Sequence, residues 1–360
     1  MQKHRLKRIA KLLSAALVLA VLTTGCVDEA ALVQDRAAHN ETVTAVTEGT
    51  LPASRTGQTP VARNGKLSVV GTNLCNSEGT PVQLKGVSTH GIAWFPQYIN
   101  RDAFITLRDD WNADIIRLAM YTQEYGGYRS GGNREELKNK VKEGVNLCTE
   151  LGLYCIVDWH ILSDGNPNDS KEDAKAFFAE MSATYAGNNN VIYELCNEPN
   201  GGTNWNQIKQ YADEVIPVIR ANSPDAIILV GTPTWSQDVD QVAANPVANG
   251  HNVMYSLHFY AATHTDWIRN KLRTAHDAGT PVFVSECSIC DASGNGNIDY
   301  NSAEQWMSLL SEYKVAYICW NLSNKNESSS VIASWCNKTS GWTEDELSET
   351  GRFFRNKMRQ

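Results

Sequence analysis

The chain has 360 residues, of which 42% are hydrophobic and 20% are charged, an ordinary composition for a folded protein. This length suits one large α/β domain or two small ones. The formal net charge of −8 argues against a nucleic-acid partner, because binding to phosphates requires a basic face.

The first 25 residues have the pattern of a secretory signal peptide, with a basic head, an apolar stretch over residues 12–22 and then "LTTGC". Gly25-Cys26 is similar to the cleavage and lipidation site of bacterial lipoproteins, although Thr23 stands where such sites usually have leucine. We therefore expect export, with Cys26 lipidated or, alternatively, with plain secretion. No other apolar stretch has spanning length, so we expect any membrane tie to be a lipid.

Residues 26–62 are rich in Ala, Thr, Val and small polar residues and contain no aromatic residue. They predict a flexible tether before a folded domain over residues 63–360. That domain begins with "NGKLSVVGTNLCNSEGTPVQL", in which short β-rich pieces are separated by Asn-Gly and Glu-Gly-Thr-Pro turns. This pattern predicts a short β-hairpin that closes one end of the domain.

After the hairpin, an apolar β-rich run and a long amphipathic segment alternate repeatedly. The runs predict strands over residues 82–90, 113–120, 153–160, 191–199, 226–233, 252–260, 281–289 and 315–323. The segments between them predict helices over residues 101–112, 134–152, 170–187, 205–224, 235–246, 265–279, 302–314 and 344–360. The segment over 235–246 is short and poorly patterned.

Eight strands alternating with eight helices match a (β/α)₈ TIM barrel in number and size. A doubly wound sheet is the alternative, but it needs fewer units and usually a Gly-rich phosphate loop after its first strand. Neither a GxGxxG motif nor a P-loop is present. We therefore predict a single α/β barrel.

The carboxyl ends of the predicted strands carry ionisable and aromatic residues. They are His90, Arg117, Tyr121, Asp158, His160, Asn197, Glu198, Thr232, His258, Tyr260, Glu286 and Trp320. A single polar residue at a strand end is often only a hydrogen-bond partner. Because the carboxyl ends of barrel strands surround the active site, their convergence indicates a functional site.

Two carboxylates stand out among these residues. Glu198 follows the fourth predicted strand, where Pro199 ends the pairing because it has no N–H, and Glu286 ends the seventh strand. These strands lie roughly across the barrel from one another, so both carboxylates can face one cleft. Glycoside hydrolases use such a pair of carboxyl groups, one protonated and one ionised, on opposite sides of a cleft. Glu194 lies one layer deeper, and we expect a structural role for it.

Several motifs resemble glycoside hydrolase family 5, of clan A, and in particular its bacterial endo-β-1,4-glucanases. They are "STHG", "IIRLAMY", "VDWH", "VIYELCNEPNG", "HFYA", "VFVSE", "DASGNG" and "WNLSNKNE", in that order along the chain. The resemblance extends from about Asn64 to the end. It implies a (β/α)₈ barrel, a retaining mechanism, no cofactor and cellulose-like β-glucans as substrate.

The resemblance also implies roles for single residues. Glu198 matches the general acid/base, Glu286 the nucleophile and Asn197 the residue that hydrogen-bonds the sugar 2-hydroxyl. Arg117 and Tyr260 match groups that keep the nucleophile ionised and oriented. Further matches are polar residues around the catalytic subsite (His90, His160, His258), sugar platforms (Trp94, Tyr121, Trp320) and a polar contact to the glucan (Lys325). Cys287-Ser288 departs from the pattern, since the family often has an aromatic residue and glycine there.

Three alternatives remain open at this point. The strand-end histidines allow a metal-dependent barrel hydrolase, although they are single and spread over three strands, so we expect no metal site. An aromatic-rich domain on a lipid anchor allows a sugar-binding lipoprotein without catalysis. The same chemistry can also act on mannan, xyloglucan or mixed-linkage glucan. We expect a monomer, and we expect Cys155, Cys196 and Cys319 to be free buried thiols.

Overall fold

The computed structural model describes residues 57–360. The predicted signal peptide, Cys26 and most of the predicted tether lie outside the described residues. A short helix, α1 (Pro60–Asn64), begins after Thr59, whose side chain accepts a hydrogen bond from the N–H of Ala62. The predicted start of the domain at residue 63 therefore falls inside this helix.

A two-stranded antiparallel hairpin follows, with β1 (Ser68–Val70) and β2 (Asn73–Cys75). Gly71 supplies the positive φ of 62° that the tight turn between them requires. Leu74 of this hairpin packs in one buried cluster with residues at the amino ends of barrel strands, including Ile115 and Tyr154. The prediction that a hairpin closes one end of the domain is confirmed.

Eight parallel strands form a closed barrel in the order β10-β3-β4-β5-β6-β7-β8-β9. They are β3 (Lys85–Thr89), β4 (Ile115–Tyr121), β5 (Tyr154–His160), β6 (Val191–Glu194), β7 (Ile228–Val230), β8 (Val253–Tyr260), β9 (Val282–Ser288) and β10 (Tyr317–Leu322). Each predicted strand overlaps one of them, β4 ending one residue beyond its predicted range, and the predicted (β/α)₈ barrel is confirmed. Parallel strands are buried on both faces, which explains their near-continuous apolar runs.

The long helices surround this barrel. They are α2 (Arg101–Asp109), α3 (Arg134–Leu151), α4 (Lys171–Thr184), α5 (Trp205–Arg220), α6 (Asp266–Asp277), α7 (Tyr300–Glu312) and α8 (Glu349–Arg359). Local sequence signals set their ends. Asn133 caps the start of α3 and left-handed Gly152 follows its end, while Asn204 and Gln207 form a capping box at the start of α5.

The helix predicted over residues 235–246 is wrong. The segment contains only the end of a helical turn, Pro233–Ser236, in which Thr234 and Trp235 are left-handed, and a 3₁₀ turn, Val239–Gln241. Asp238 accepts hydrogen bonds from the side chains of Thr234 and Gln241, so local side-chain bonds replace a helical ladder.

The largest apolar core lies between the strands and the helices. There Phe259 of β8 stacks on Trp306 of α7, with ring centroids 3.9 Å apart, and Trp111 is fully buried. Trp267, in the first turn of α6, is by contrast 49% exposed. Within residues 57–360 no helix has the length and apolar character needed to cross a membrane.

The eight cysteines in the described part of the chain are all free and buried. The prediction of free buried thiols is therefore confirmed for Cys155, Cys196 and Cys319. Burial raises the pKa of the Cys287 thiol, which follows Glu286, so this thiol stays protonated and behaves as a small apolar side chain.

Candidate active site

Glu198 and Glu286 face the same space at the carboxyl end of the barrel. A carboxylate oxygen of one lies within 4.8 Å of a carboxylate oxygen of the other. Both side chains are buried. Glu286 lies on β9, whereas Glu198 follows β6 by four residues, in a segment held by the hydrogen bond from Asn197 N–H to the carbonyl of Trp159. The two acids therefore meet although 88 positions separate them in the sequence.

Strand β9 carries a bulge beside this pair. While β8 advances two residues, from Ser256 to His258, β9 advances three, from Phe283 to Glu286. The pairing of β9 with β10 shows the same extra residue on β9. A bulge breaks the usual alternation of side chains between the two faces of a strand. As a result, Ser285 and Glu286 both contact groups inside the barrel.

Arg117, on β4, is fully buried beneath the two acids. Its Nε donates to Glu194 Oε2 at 2.7 Å and its Nη1 donates to Glu286 Oε2 at 3.0 Å. Its Nη2 donates to Asn197 Oδ1 at 2.6 Å and lies 3.1 Å from Asp158 Oδ2. Burial alone lowers the pKa of Arg117, but the surrounding carboxylates outweigh burial and raise it. The guanidinium is therefore a fixed positive charge.

Glu286 is held at both carboxylate oxygens. Tyr260 Oη donates to Oε1 at 2.7 Å, and Arg117 binds Oε2. Burial acts to raise the pKa of Glu286, but the charges of His258 and Arg117 lower it further than burial raises it. Burial and the nearby carboxylates raise the pKa of Tyr260, so its hydroxyl remains a donor. Glu286 is thus kept ionised, as a nucleophile must be.

Glu198 has a different environment. Its Oε1 lies 2.9 Å from Nδ1 of His258, whose Nε2 lies 2.9 Å from Ser285 Oγ. Burial raises the pKa of Glu198, and the negative charge of Glu286 adds to this effect against the lowering by His258. Burial lowers the pKa of His258, but the carboxylates of Glu194, 3.9 Å from Nε2, and of Glu198 outweigh burial and raise it to about 9. Two carboxyls in one cleft therefore have pKa values shifted in opposite directions.

Glu194 lies beneath this pair and is fully buried. Its Oε1 accepts hydrogen bonds from Ser285 Oγ at 2.5 Å and from Ser256 Oγ at 3.0 Å, and its Oε2 binds Arg117. Burial alone raises the pKa of Glu194, but the charge of Arg117, followed by the interaction with His258 and the bond from Ser285, lowers it to about 2. Glu194 has the structural position that the sequence suggested.

One side of the cleft is aromatic. The His160 ring stacks on Trp320 at 5.3 Å and lies 4.1 Å from the Tyr121 ring, while the His90 ring lies 5.4 Å from Trp320. His160 Nδ1 lies 2.6 Å from Asp158 Oδ2. Burial, followed by the charge of Arg117, lowers the pKa of His160 to about 3, so its imidazole is neutral.

A polar corner lies next to the aromatic side. Lys325 Nζ lies 2.7 Å from Glu327 Oε2 and 3.5 Å from His90 Nε2, and it sits over the Trp94 ring, 5.5 Å from its centroid. Asn321 Nδ2 donates to Glu327 Oε1 at 2.9 Å. An amphipathic ring beside anchored donors and acceptors suits a sugar, which has apolar faces and hydroxyl edges.

The structure brings all the predicted catalytic and supporting residues into one set of contacts. Thr232 does not join it, because its hydroxyl donates to the carbonyl of Ser256 and serves the barrel wall. Sequence reasoning assigned no role to Asp158, Ser285 or Glu327. Glu327 ends the motif "WNLSNKNE" and Ser285 precedes Glu286 in "VFVSE", so both lay within quoted motifs without a separate signal.

Glu198, His258 and Glu286 also have the spacing of a metal site, with one ligand atom from each inside 4.8 Å. Their atoms are already bonded to protein groups, since Arg117 and Tyr260 hold both oxygens of Glu286 and Ser285 holds one nitrogen of His258. A divalent cation would also lie beside the fixed charge of the guanidinium. The donor set therefore fits proton transfer better than metal binding.

Comparison with known proteins places this geometry in context. The family description "Cellulase (glycosyl hydrolase family 5)" matches residues 75–326. Endoglucanase A of Butyrivibrio fibrisolvens is 48% identical over 299 residues, which cover 82% of this chain and 69% of that protein. An endoglucanase of Clostridium saccharobutylicum is 48% identical over 290 residues, 80% of this chain and 64% of that protein. The chain thus spans about two thirds of the length of these relatives.

Solved structures of a cellulase and of an endoglucanase catalytic domain also superpose on this chain. The catalytic domain of Thermobifida fusca endoglucanase Cel5A superposes with a TM-score of 0.80 at 42% identity, covering 84% of this chain and all of that domain. A variant of that domain has been solved in complex with cellotetraose. Cellulase Cel5C_n also superposes with a TM-score of 0.80 at 42% identity, covering 86% of this chain and 96% of that one.

Proposed function

Since the chain belongs to glycosyl hydrolase family 5, we propose that it is a retaining endo-β-1,4-glucanase, which cleaves internal β-1,4-glucosidic bonds of cellulose or related β-glucans. The family resemblance read from the sequence is confirmed, and the chain is a glycoside hydrolase. The observation that carries the retaining mechanism is the distance of at most 4.8 Å between oxygens of Glu198 and Glu286. Retaining enzymes hold their carboxyl groups about 5–5.5 Å apart, whereas inverting enzymes need about 6.5–9.5 Å to admit a water.

The two environments divide the chemistry. Glu286, ionised and held at both oxygens, attacks the anomeric carbon while Glu198, whose pKa is raised, gives its proton to the leaving oxygen. The result is a covalent glycosyl–enzyme on Glu286. Glu198, now ionised, removes a proton from water, which attacks the same carbon and restores both carboxyls. Two inversions leave the product with the configuration of the substrate.

Cellulose-like β-glucan is the substrate that the relatives favour, because the named relatives are endoglucanases and one solved relative holds cellotetraose. Trp94 and Trp320 would supply stacking faces for a glucan, and Lys325, which sits over the Trp94 ring, would supply a polar contact. Mannan, xyloglucan and mixed-linkage glucan differ from cellulose in hydroxyl orientation, branching or linkage. They are the alternatives against which product formation must be compared.

The experiment combines hydrolysis of carboxymethylcellulose with the anomeric configuration of the first product, followed by NMR. We expect release of β-configured reducing ends from β-linked substrate. Glu286→Gln and Glu198→Gln should each abolish most hydrolysis, while Glu150→Gln, on the exposed surface of α3, serves as the matched control. Formation of α-configured product, or near-normal rates in either site variant, would contradict the mechanism.

We also propose export, with lipidation at Cys26 and a tether that holds the catalytic domain away from a membrane. The basic head, apolar stretch and "LTTGC" motif support this. Mass spectrometry of the mature protein tests it, since lipidation would leave Cys26 as a modified first residue. A Cys26→Ala variant should lose the lipid mass. A mature N-terminus at another residue would favour plain secretion.

A further inference from the structure

The bulge in β9 gives Ser285 a position that links the acid/base to the deeper anchor of the site. Ser285 Oγ is 2.5 Å from Glu194 Oε1 and 2.9 Å from His258 Nε2. His258 Nδ1 in turn lies 2.9 Å from Glu198 Oε1. These contacts form a continuous chain from Glu194 through Ser285 and His258 to Glu198, and Ser285 and His258 are both buried.

We propose that Ser285 is a positioning residue, which fixes a hydrogen on Nε2 of His258 and thereby keeps a proton in the contact between His258 Nδ1 and Glu198. This inference rests on the proposed hydrolysis, and it adds a role for a residue whose hydroxyl contacts Glu194 and His258 rather than Glu198 or Glu286. Its geometric basis is that Ser285 has a single hydroxyl hydrogen and lies between the carboxylate of Glu194 and Nε2 of His258.

The direction of each hydrogen bond follows from the chemistry of the groups. Glu194 is an ionised carboxylate and can only accept, so Ser285 must spend its single hydrogen on Glu194. The serine oxygen is then an acceptor toward His258, and Nε2 must carry a hydrogen. Nδ1 therefore either accepts a hydrogen bond from protonated Glu198 or, with the proton on the imidazole, donates one to ionised Glu198. Both arrangements hold one proton between the imidazole and the carboxyl group.

Removing that proton is opposed by the same arrangement. Once the proton leaves, a bare Nδ1 faces an ionised Glu198 unless the remaining hydrogen moves from Nε2 to Nδ1. That move would leave Nε2 bare against Ser285, whose only hydrogen is committed to Glu194. Ser285 thus penalises the deprotonated state, and the general acid keeps its proton to higher pH.

Other charged or titratable groups surround the His258 ring, and among them Glu194 is the one that accepts a hydrogen bond from Ser285. They are Glu194, Glu286, Asp158, Arg117 and His264. Glu194 and Glu286 have lowered pKa values, and burial lowers the pKa of His264 to about 4. Asp158 binds Arg117 and His160 rather than His258. We therefore expect loss of the proton held between Glu198 and His258 to set the alkaline limb of the pH profile.

The chain offers a matched control for this serine. Ser256 Oγ also donates to Glu194 Oε1, at 3.0 Å, from the neighbouring strand β8. Its hydrogen bonds are made with Glu194, and none joins it to His258. Ser256→Ala therefore removes an equivalent hydroxyl from the same carboxylate without changing the acceptor that faces Nε2.

The experiment is the pH dependence of kcat/KM on a soluble cello-oligosaccharide for the full chain and its variants. Ser285→Ala should move the alkaline limb to lower pH by about one unit, which corresponds to a tenfold change in proton affinity. Ser256→Ala should leave the limb at its original pH, and Ser285→Thr, which keeps the hydroxyl, should restore it. An unmoved limb in Ser285→Ala, or an equal shift in Ser256→Ala, would overturn the proposal.

Nitrogen NMR of the ¹⁵N-histidine-labelled, unaltered chain gives a second test that needs no stable serine variant and no turnover. The His258 signals are identified by their loss in His258→Gln. We expect Nε2 to be protonated throughout the pH range of activity. A bare Nε2 with the hydrogen on Nδ1 would refute the serine's role, even if hydrolysis is retained. Absent hydrolysis with a protonated Nε2 would instead count against the proposed function.

Discussion

Tyr260→Phe gives the cleanest test of how the protein keeps its nucleophile ionised. The substitution removes one hydroxyl, which donates to Glu286 Oε1 at 2.7 Å, and leaves the ring in place. Arg117 still binds the other oxygen, Oε2, at 3.0 Å. The variant therefore isolates one hydrogen bond to a buried carboxylate.

The size of the effect follows from that bond. A hydrogen bond to a charged group contributes about 1.5–3 kcal/mol, and each pKa unit corresponds to about 1.36 kcal/mol. Since the donor stabilises the ionised form, its loss should raise the pKa of Glu286 by about 1–2 units. Glu286 must be ionised to attack, so activity is lost from the acid side. The acid limb of kcat/KM should move to higher pH by the same amount.

The assay is hydrolysis of a soluble cello-oligosaccharide from pH 3 to pH 10 with both limbs fitted. Tyr154→Phe is the matched control, because it removes a tyrosine hydroxyl that donates to Gly65 at the opposite end of the barrel. It should lower stability without moving either limb. If Tyr260→Phe lowers the rate equally at every pH, Tyr260 does not stabilise the ionised nucleophile, and the reasoning fails.

Three further outcomes are expected. Arg117→Lys should reduce kcat/KM by about 10²–10³-fold and the free energy of unfolding by about 3–5 kcal/mol, because a single ammonium cannot satisfy the several buried partners of the guanidinium. Arg101→Lys, on the surface, should change neither quantity, and kinetics and chemical denaturation compare the two variants. Gly86→Ala should destabilise the barrel by about 2 kcal/mol or more, since the new Cβ would lie 2.1 Å from the carbonyl oxygen of Ile115. Gly187→Ala, which has open space around its Cβ, should not destabilise the protein, and thermal melts compare the two variants. Dialysis against a strong chelator should leave the rate of hydrolysis unchanged, because protein donors already bond the oxygens of the nucleophile, and a loss restored by added metal would contradict this.

The barrel was predictable because its strands are buried on both faces and its helices on one. Continuous apolar runs and 3.6-residue periodicity are strong signals of these two environments. The segment over 235–246 lacks that periodicity and carries Asp238, whose carboxylate bonds local side chains instead. Counting elements predicted a helix there, whereas the local chemistry favours turns.

The site was predictable to the extent that strand ends determine it. The barrel strands carry Arg117 and Glu286 near their carboxyl ends, and Glu198 follows another strand. Their convergence therefore follows from the fold. Ser285 was not predictable in the same way. Alternation places it on the opposite face from Glu286, and only the bulge in β9, which results from three-dimensional pairing with β8 and β10, turns both inward.

The balance of charge explains why so many acids can share this buried site. Four carboxyl groups surround Arg117 and His258, and full ionisation of all six groups would leave a net charge of 4 × (−1) + 2 × (+1) = −2 away from solvent. Burial raises the pKa of Asp158 and of Glu198, so these two acids hold protons most readily. Glu194 and Glu286 remain ionised against Arg117, and one proton is shared between Glu198 and His258. With Asp158 protonated, the site keeps a net charge of (−1) + (−1) + (+1) = −1, and the ionised Glu286 opposes the positive charge that develops on the sugar in an oxocarbenium-like transition state.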